Sequence, residues 1–114
     1  MRDDDKVKSA LRDGEFFLIL KQSIVDGMKK VLGEDGVQST FYYLDLVAVF
    51  QRPAEFHKKL HSMFGTGSLT LEKTILIELY QTVNVQFKER KGYEFADYVD
   101  LAGRAFMANK GGSE

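Results

Sequence analysis

Apolar residues recur along this chain at three- and four-residue intervals, and each stretch of such spacing ends at a glycine, a proline or a charge cluster. The first stretch predicts a helix over 15–32, with Phe17, Leu20, Ile24, Met28 and Val31 on one face. Gly33 is placed to cap its C-terminus, and Lys29 and Lys30 in the last turn suit the helix dipole. Phe16, Leu18, Ile19 and Val25 fall off the inward stripe, so the first half of this helix is apolar nearly all round. Such a helix calls for burial on more than one side.

A second helix is predicted over 35–45, with Val37, Phe41 and Leu44 inward and Tyr42 and Tyr43 widening the face. The run LVAVF at 46–50 reads as an apolar connector. Pro53 suits the first position of a third helix, whose stripe is Phe56, Leu60, Met63 and Phe64, and Gly65 is placed as a left-handed cap at its end. Ser68 is a candidate N-cap for a fourth helix over 69–83, with Leu71, Ile75, Leu76, Leu79 and Val83 inward. Residues 84–92 read as a loop anchored by Val85 and Phe87. The fifth helix, over 93–108, carries Phe95, Val99, Ala102 and Phe106. No alternating strand pattern with hairpin turns interrupts this series. The expected architecture is a compact all-α domain of about five helices over 15–108, with a polar lead-in over 1–14 and a flexible tail over 109–114.

Composition narrows the class. A chain of 114 residues with 44% apolar content fits one core. The longest unbroken apolar runs, Phe16–Leu20 and Leu46–Phe50, fall far short of the ~20 residues a spanning helix needs. The absence of cysteine removes disulfides and thiolate metal sites, which points to a cytoplasmic location. A net charge of −1 gives no global attraction to nucleic acid or anionic membrane.

Three local motifs invite chemistry. His57 and His61 stand one helical turn apart and could clamp a metal, but Lys58 occupies the place where a zinc protease carries its glutamate. Both histidines fall at the edge of the buried face, and no metal or other cofactor is expected. The run FGTGSLTLEKT at 64–74 resembles a phosphate loop only in its glycines, because its lysine follows Gly67 by six residues and a helix precedes it. Helix, short glycine turn and helix is also the outline of a DNA-binding helix-turn-helix. Its recognition helix would carry only Glu72, Lys73 and Glu78, a net charge of −1, so nucleic acid is not the expected partner. No grouping of nucleophile, base and acid suggests catalysis, and the chain is not expected to be an enzyme.

From about Ile24 to Phe106 the chain resembles the Nitrosopumilus output domain family, small archaeal domains associated with signalling proteins. The features that carry the resemblance are Val31-Leu32-Gly33, Phe41 with Leu44, and Pro53 followed by Phe56 and Leu60. MFG at 63–65 and LEKTI at 71–75 with Leu79 complete it. The stretch LDLVAVFQRP at 44–53 departs from it in being more apolar. The resemblance implies a non-enzymatic signal-output or protein-interaction module in a stand-alone version, and it supplies no ligand residues. Leu18, Ile19, Val25 and Phe16 are then the expected interface of a homodimer built on the first helix. A helix-turn-helix regulator and a small-ligand or metal sensor are the alternatives.

Overall fold

The computed structural model describes the backbone over 3–43 and 52–112 and side chains over 14–38 and 52–108. The described residues form four helices: α1 (Asp3–Tyr43), α2 (Pro53–Phe64), α3 (Gly67–Thr82) and α4 (Phe95–Gly112). Among the described residues there is no strand. The connector expected at 46–50 lies outside them.

The helix count corrects the expected five. The two helices predicted over 15–32 and 35–45 follow one another without an intervening loop and form the single element α1. Gly33 interrupts it with φ 77° and ψ 172°. That conformation favours glycine, and helical geometry resumes straight after it. Gly33 therefore ends one helical stretch and the next begins straight after it, so the expected cap is met as a break inside α1. α1 also reaches back to Asp3, through the segment expected as a polar lead-in.

One core joins all four helices. It gathers Leu20, Ile24 and Met28 of α1, Phe56 and Leu60 of α2, Leu71, Ile75 and Leu79 of α3, and Val99, Ala102 and Phe106 of α4. α1 lies chiefly on α3. Gly27 makes their close approach possible: a Cβ there would stand 2.7 Å from the Ile75 Cα. Lys30 and Glu78 add an ion pair across the same two helices. Phe17 and Val31, expected on the inward stripe of α1, remain partly exposed. Phe16 turns inward instead: its ring lies 6.0 Å from that of Phe106 and 3.3 Å from where a Cβ on Gly103 would be. The missing side chain of Gly103 gives this ring its place.

Pro53 opens α2 as the spacing predicts. Gly65 ends that helix with φ 60° and ψ −134°, so its φ is positive as expected but its ψ is not that of a left-handed helical turn. Ser68 is not the N-cap of α3. The helix begins two residues after Gly65, at Gly67, and Thr66 precedes it without a side-chain capping bond. Ser68 sits fully buried in the first turn, where its hydroxyl donates to the Gly65 carbonyl at 2.8 Å. α3 closes in a Schellman motif: Val85 N–H donates to Tyr80 O at 2.9 Å and Asn84 N–H to Gln81 O at 3.2 Å. Asn84 takes the left-handed position, with φ 63°.

The segment from Val85 to Glu94 is irregular but tightly held. Phe87 packs edge-on against Tyr80, ring centroids 5.2 Å apart, and lies 5.3 Å from Tyr98. The Tyr98 hydroxyl accepts from Arg90 N–H at 2.7 Å and donates to Arg90 O at 3.2 Å. Tyr80 in turn donates to Tyr98 O at 2.7 Å. Burial pushes the Tyr80 phenol up to about 12.

Candidate functional site

Two surfaces have the concavity and chemistry of a site, and they flank opposite sides of the start of α4. The first is a groove of about 570 Å³ between α1 and α4, lined by Phe16, Phe17, Leu20, Val99, Gly103 and Met107 among others. Asp100 and Arg104 lie at its rim and pair with each other at 2.9 Å. The residues expected to form an interface on α1 divide about this groove. Phe16 lines it and Ile19 packs half-buried against the core. Leu18 is 68% exposed, the most exposed of the large hydrophobic side chains described. At ~100° per residue Leu18 stands some 160° from Leu20, on the outer face of α1, and Val25 follows it seven residues later.

The second surface is a groove of about 540 Å³ under the irregular segment, lined by residues of α2, α3 and α4. His57 of α2 and Glu72 of α3 meet on it. His57 Nδ1 and Glu72 Oε2 share a hydrogen bond 2.6 Å long. The carboxylate is 7% exposed and the imidazole 34%. Burial raises the Glu72 pKa above the ordinary 4.5, and the hydrogen bond to His57 and the charges of His57 and His61 offset this only in part. Glu94, near enough to act through its charge, adds to the rise. Lys73 pairs with Glu89 at 2.8 Å, and the Arg90 guanidinium sits 5.6 Å from the centre of the Tyr93 ring.

Glu72 is the residue whose place the spacing obscured. With the helix beginning at Gly67 it stands beyond the first turn, so it does not serve the dipole there. The tight turn at Gly65 and Thr66 folds α3 back along α2 and carries Glu72 to His57. The signal available in the sequence was the i, i+3 and i, i+4 spacing of Glu72 with Ile75 and Leu76, which puts a carboxylate among core positions.

His57 and His61 do come together, with ring centroids 6.3 Å apart and planes 25° from parallel. Their Nδ1 atoms face other partners: Glu72 for His57, and the Ser68 hydroxyl, 3.5 Å away, for His61. Among the described residues no group of three or more His, Cys, Asp or Glu side chains is arranged to hold a metal ion. In the turn between α2 and α3, Ser68 N–H donates to Gly65 O at 3.1 Å and Leu69 N–H to Thr66 O at 3.2 Å. Two amides that a bound phosphate would need are thereby engaged. Among the described residues no helix is long and apolar enough to cross a membrane. No family model matches the chain, and neither a curated protein nor a solved structure matches it.

Proposed function

We propose that this domain is a non-enzymatic protein-interaction module that pairs with a second copy of itself along the outer face of α1. The output role implied by the family resemblance is part of this proposal. The observation that carries it is the exposure of Leu18, with the half-buried Val25 on the same face one heptad further on. Two copies of α1 laid antiparallel bring Leu18 of each against Val25 of the other, and the twofold axis repeats the contact. The same register sets Glu15 of one copy beside Lys29 of the other, once at each end. A parallel pairing would set Glu15 against Glu15 and Lys29 against Lys29, so these two positions favour the antiparallel one, while Lys21 meets its own copy near the twofold axis.

The helix-turn-helix alternative is weaker on the same observations. α3 buries Leu71, Glu72, Ile75, Leu76, Leu79 and Tyr80, and its lysine, Lys73, is paired with Glu89. Little of such a helix is left to enter a groove of DNA or to neutralise phosphates.

Light scattering on the parent and on Leu18→Glu tests the pairing. The parent should be a dimer and the variant a folded monomer by circular dichroism. Glu15→Lys and Lys29→Glu should each weaken the dimer, and the double exchange should restore it. A parent that stays monomeric at high concentration would defeat the proposal, as would a double exchange no tighter than either single change.

A further inference from the structure

The groove beneath the irregular segment is a second site with its own chemistry. We propose that it binds a free α-amino acid with an aromatic or other large apolar side chain. Its size, about 540 Å³, falls in the range of small-ligand pockets. Phe87, Tyr93, Phe95 and Tyr98 line it, so apolar side-chain contact is available over much of its wall.

The charges decide the class. Lys73 and Glu89 neutralise each other at 2.8 Å. Besides Glu72, whose carboxylate is held by His57 at 2.6 Å, three charged groups then remain on the wall: Glu94 on one side of the balance, Arg90 and Lys91 on the other. A simple cation would be repelled by Arg90 and Lys91, and a simple anion by the two carboxylates. A molecule carrying both signs within a few ångströms meets neither penalty. Arg90 and Glu94 flank one tight turn, closed by Tyr93 N–H donating to Arg90 O at 3.1 Å, so a basic and an acidic side chain leave the same short turn. That turn is held in place by the Tyr98 hydroxyl on Arg90, which makes the basic side of the site pre-formed rather than loose.

Glu72 adds a second carboxylate to the acidic side that Glu94 provides. Its side chain is 7% exposed, and one oxygen is held by His57. Its pKa is raised by desolvation, so an arriving ammonium would favour the ionised form and strengthen with pH above 4.5. His57 and His61 of α2 and Glu94 of the irregular segment are the other titratable groups that act on it. This inference does not depend on the pairing through α1, since no residue of that face lines the groove.

The probe is L-phenylalanine, compared with phenethylamine, which lacks the carboxylate, and 3-phenylpropanoate, which lacks the ammonium. Titration calorimetry on the intact chain should give a dissociation constant about tenfold or more lower for phenylalanine than for either analogue. Glu94→Gln and Arg90→Gln, both at exposed positions, should each weaken phenylalanine about tenfold while leaving the circular dichroism spectrum unchanged. Amide chemical shifts should move at Tyr93, Glu94 and Tyr98. Absence of phenylalanine binding at millimolar concentration overturns the proposal. So does either single-charge analogue binding as tightly, or binding that both variants leave intact.

Discussion

Replacing Gly27 with alanine tests how closely α1 and α3 are packed. The new Cβ would lie 2.7 Å from the Ile75 Cα, 2.8 Å from its Cγ1 and 2.9 Å from its main-chain nitrogen. Carbon atoms rest comfortably at about 3.5–4.0 Å, so the helices must part locally by about 1 Å. A side chain could rotate away from the intruder, but two of these three atoms belong to the backbone of α3. Overpacking costs about 1–3 kcal/mol, and an obstacle of main chain puts this site near ~3. Alanine returns about 1 kcal/mol through its higher helix propensity. The net loss is about 2 kcal/mol, or some 8 °C in melting temperature at about 4 °C per kcal/mol. Gly14→Ala is the matched control, because a Cβ there meets nothing within 4 Å. It gains the propensity without the clash, so it should stabilise by about 1 kcal/mol. Urea melts with unchanged m-values would read both numbers. If Gly27→Ala stabilises as much as Gly14→Ala, the helices are not in contact at this point, and the packing described for α1 on α3 is wrong.

Three further outcomes follow from the geometry. Glu72→Gln should gain stability relative to the parent as pH rises from 4.5: the folded carboxylate titrates above its unfolded value, so the parent loses stability through that window. A parent that instead gains on the variant over that range, in melts at stepped pH, would show the His57 contact outweighing burial. Tyr98→Phe removes both bonds to Arg90 and should cost about 1–2 kcal/mol in urea melts, with faster hydrogen exchange at the Arg90 amide. An unchanged exchange rate there would count against the clasp. Gly65→Ala should cost about 1–3 kcal/mol, because φ 60° with ψ −134° is open to glycine almost alone, whereas Gly67→Ala should be near neutral in the same melts.

The residues that spoke plainly in the sequence are those whose role is local. Pro53 opens a helix because its ring fixes φ, and Gly33 and Gly65 take positive φ because they lack a Cβ. Val85 and Phe87 anchor the irregular segment, as their isolation among polar neighbours suggested. What the sequence concealed depends on partners far along the chain. Phe16 and Phe17 are neighbours with the same side chain, and only the slot at Gly103 decides that the first turns inward. Glu72 looked like a first-turn acid because Ser68 looked like a cap, and moving the helix start to Gly67 altered the meaning of both. Gly27 sits on the inward stripe between Ile24 and Met28, and a small residue there marks a helix crossing only once the second helix is known. Periodicity also reported two helices where the chain makes one broken helix, since Gly33 is an equally good end and an equally good interruption. The exposed apolar seam on α1 was visible as surplus hydrophobic residues, although which of them face outward was not.

The pair of hydrogen bonds between the Tyr98 hydroxyl and Arg90 has a consequence for proteolysis. Trypsin must draw several residues of substrate into an extended, unpaired strand before it can cut. Lys88, Arg90 and Lys91 expose their side chains and look like adjacent cleavage points on an irregular segment. Yet Arg90 has both its N–H and its carbonyl tied to a side chain of α4, so the bond after Arg90 is released only when that helix lets go. Limited digestion should therefore cut after Arg90 more slowly than in Tyr98→Phe, which lacks both bonds. A stretch without regular secondary structure would then behave, toward a protease, as part of the fourth helix.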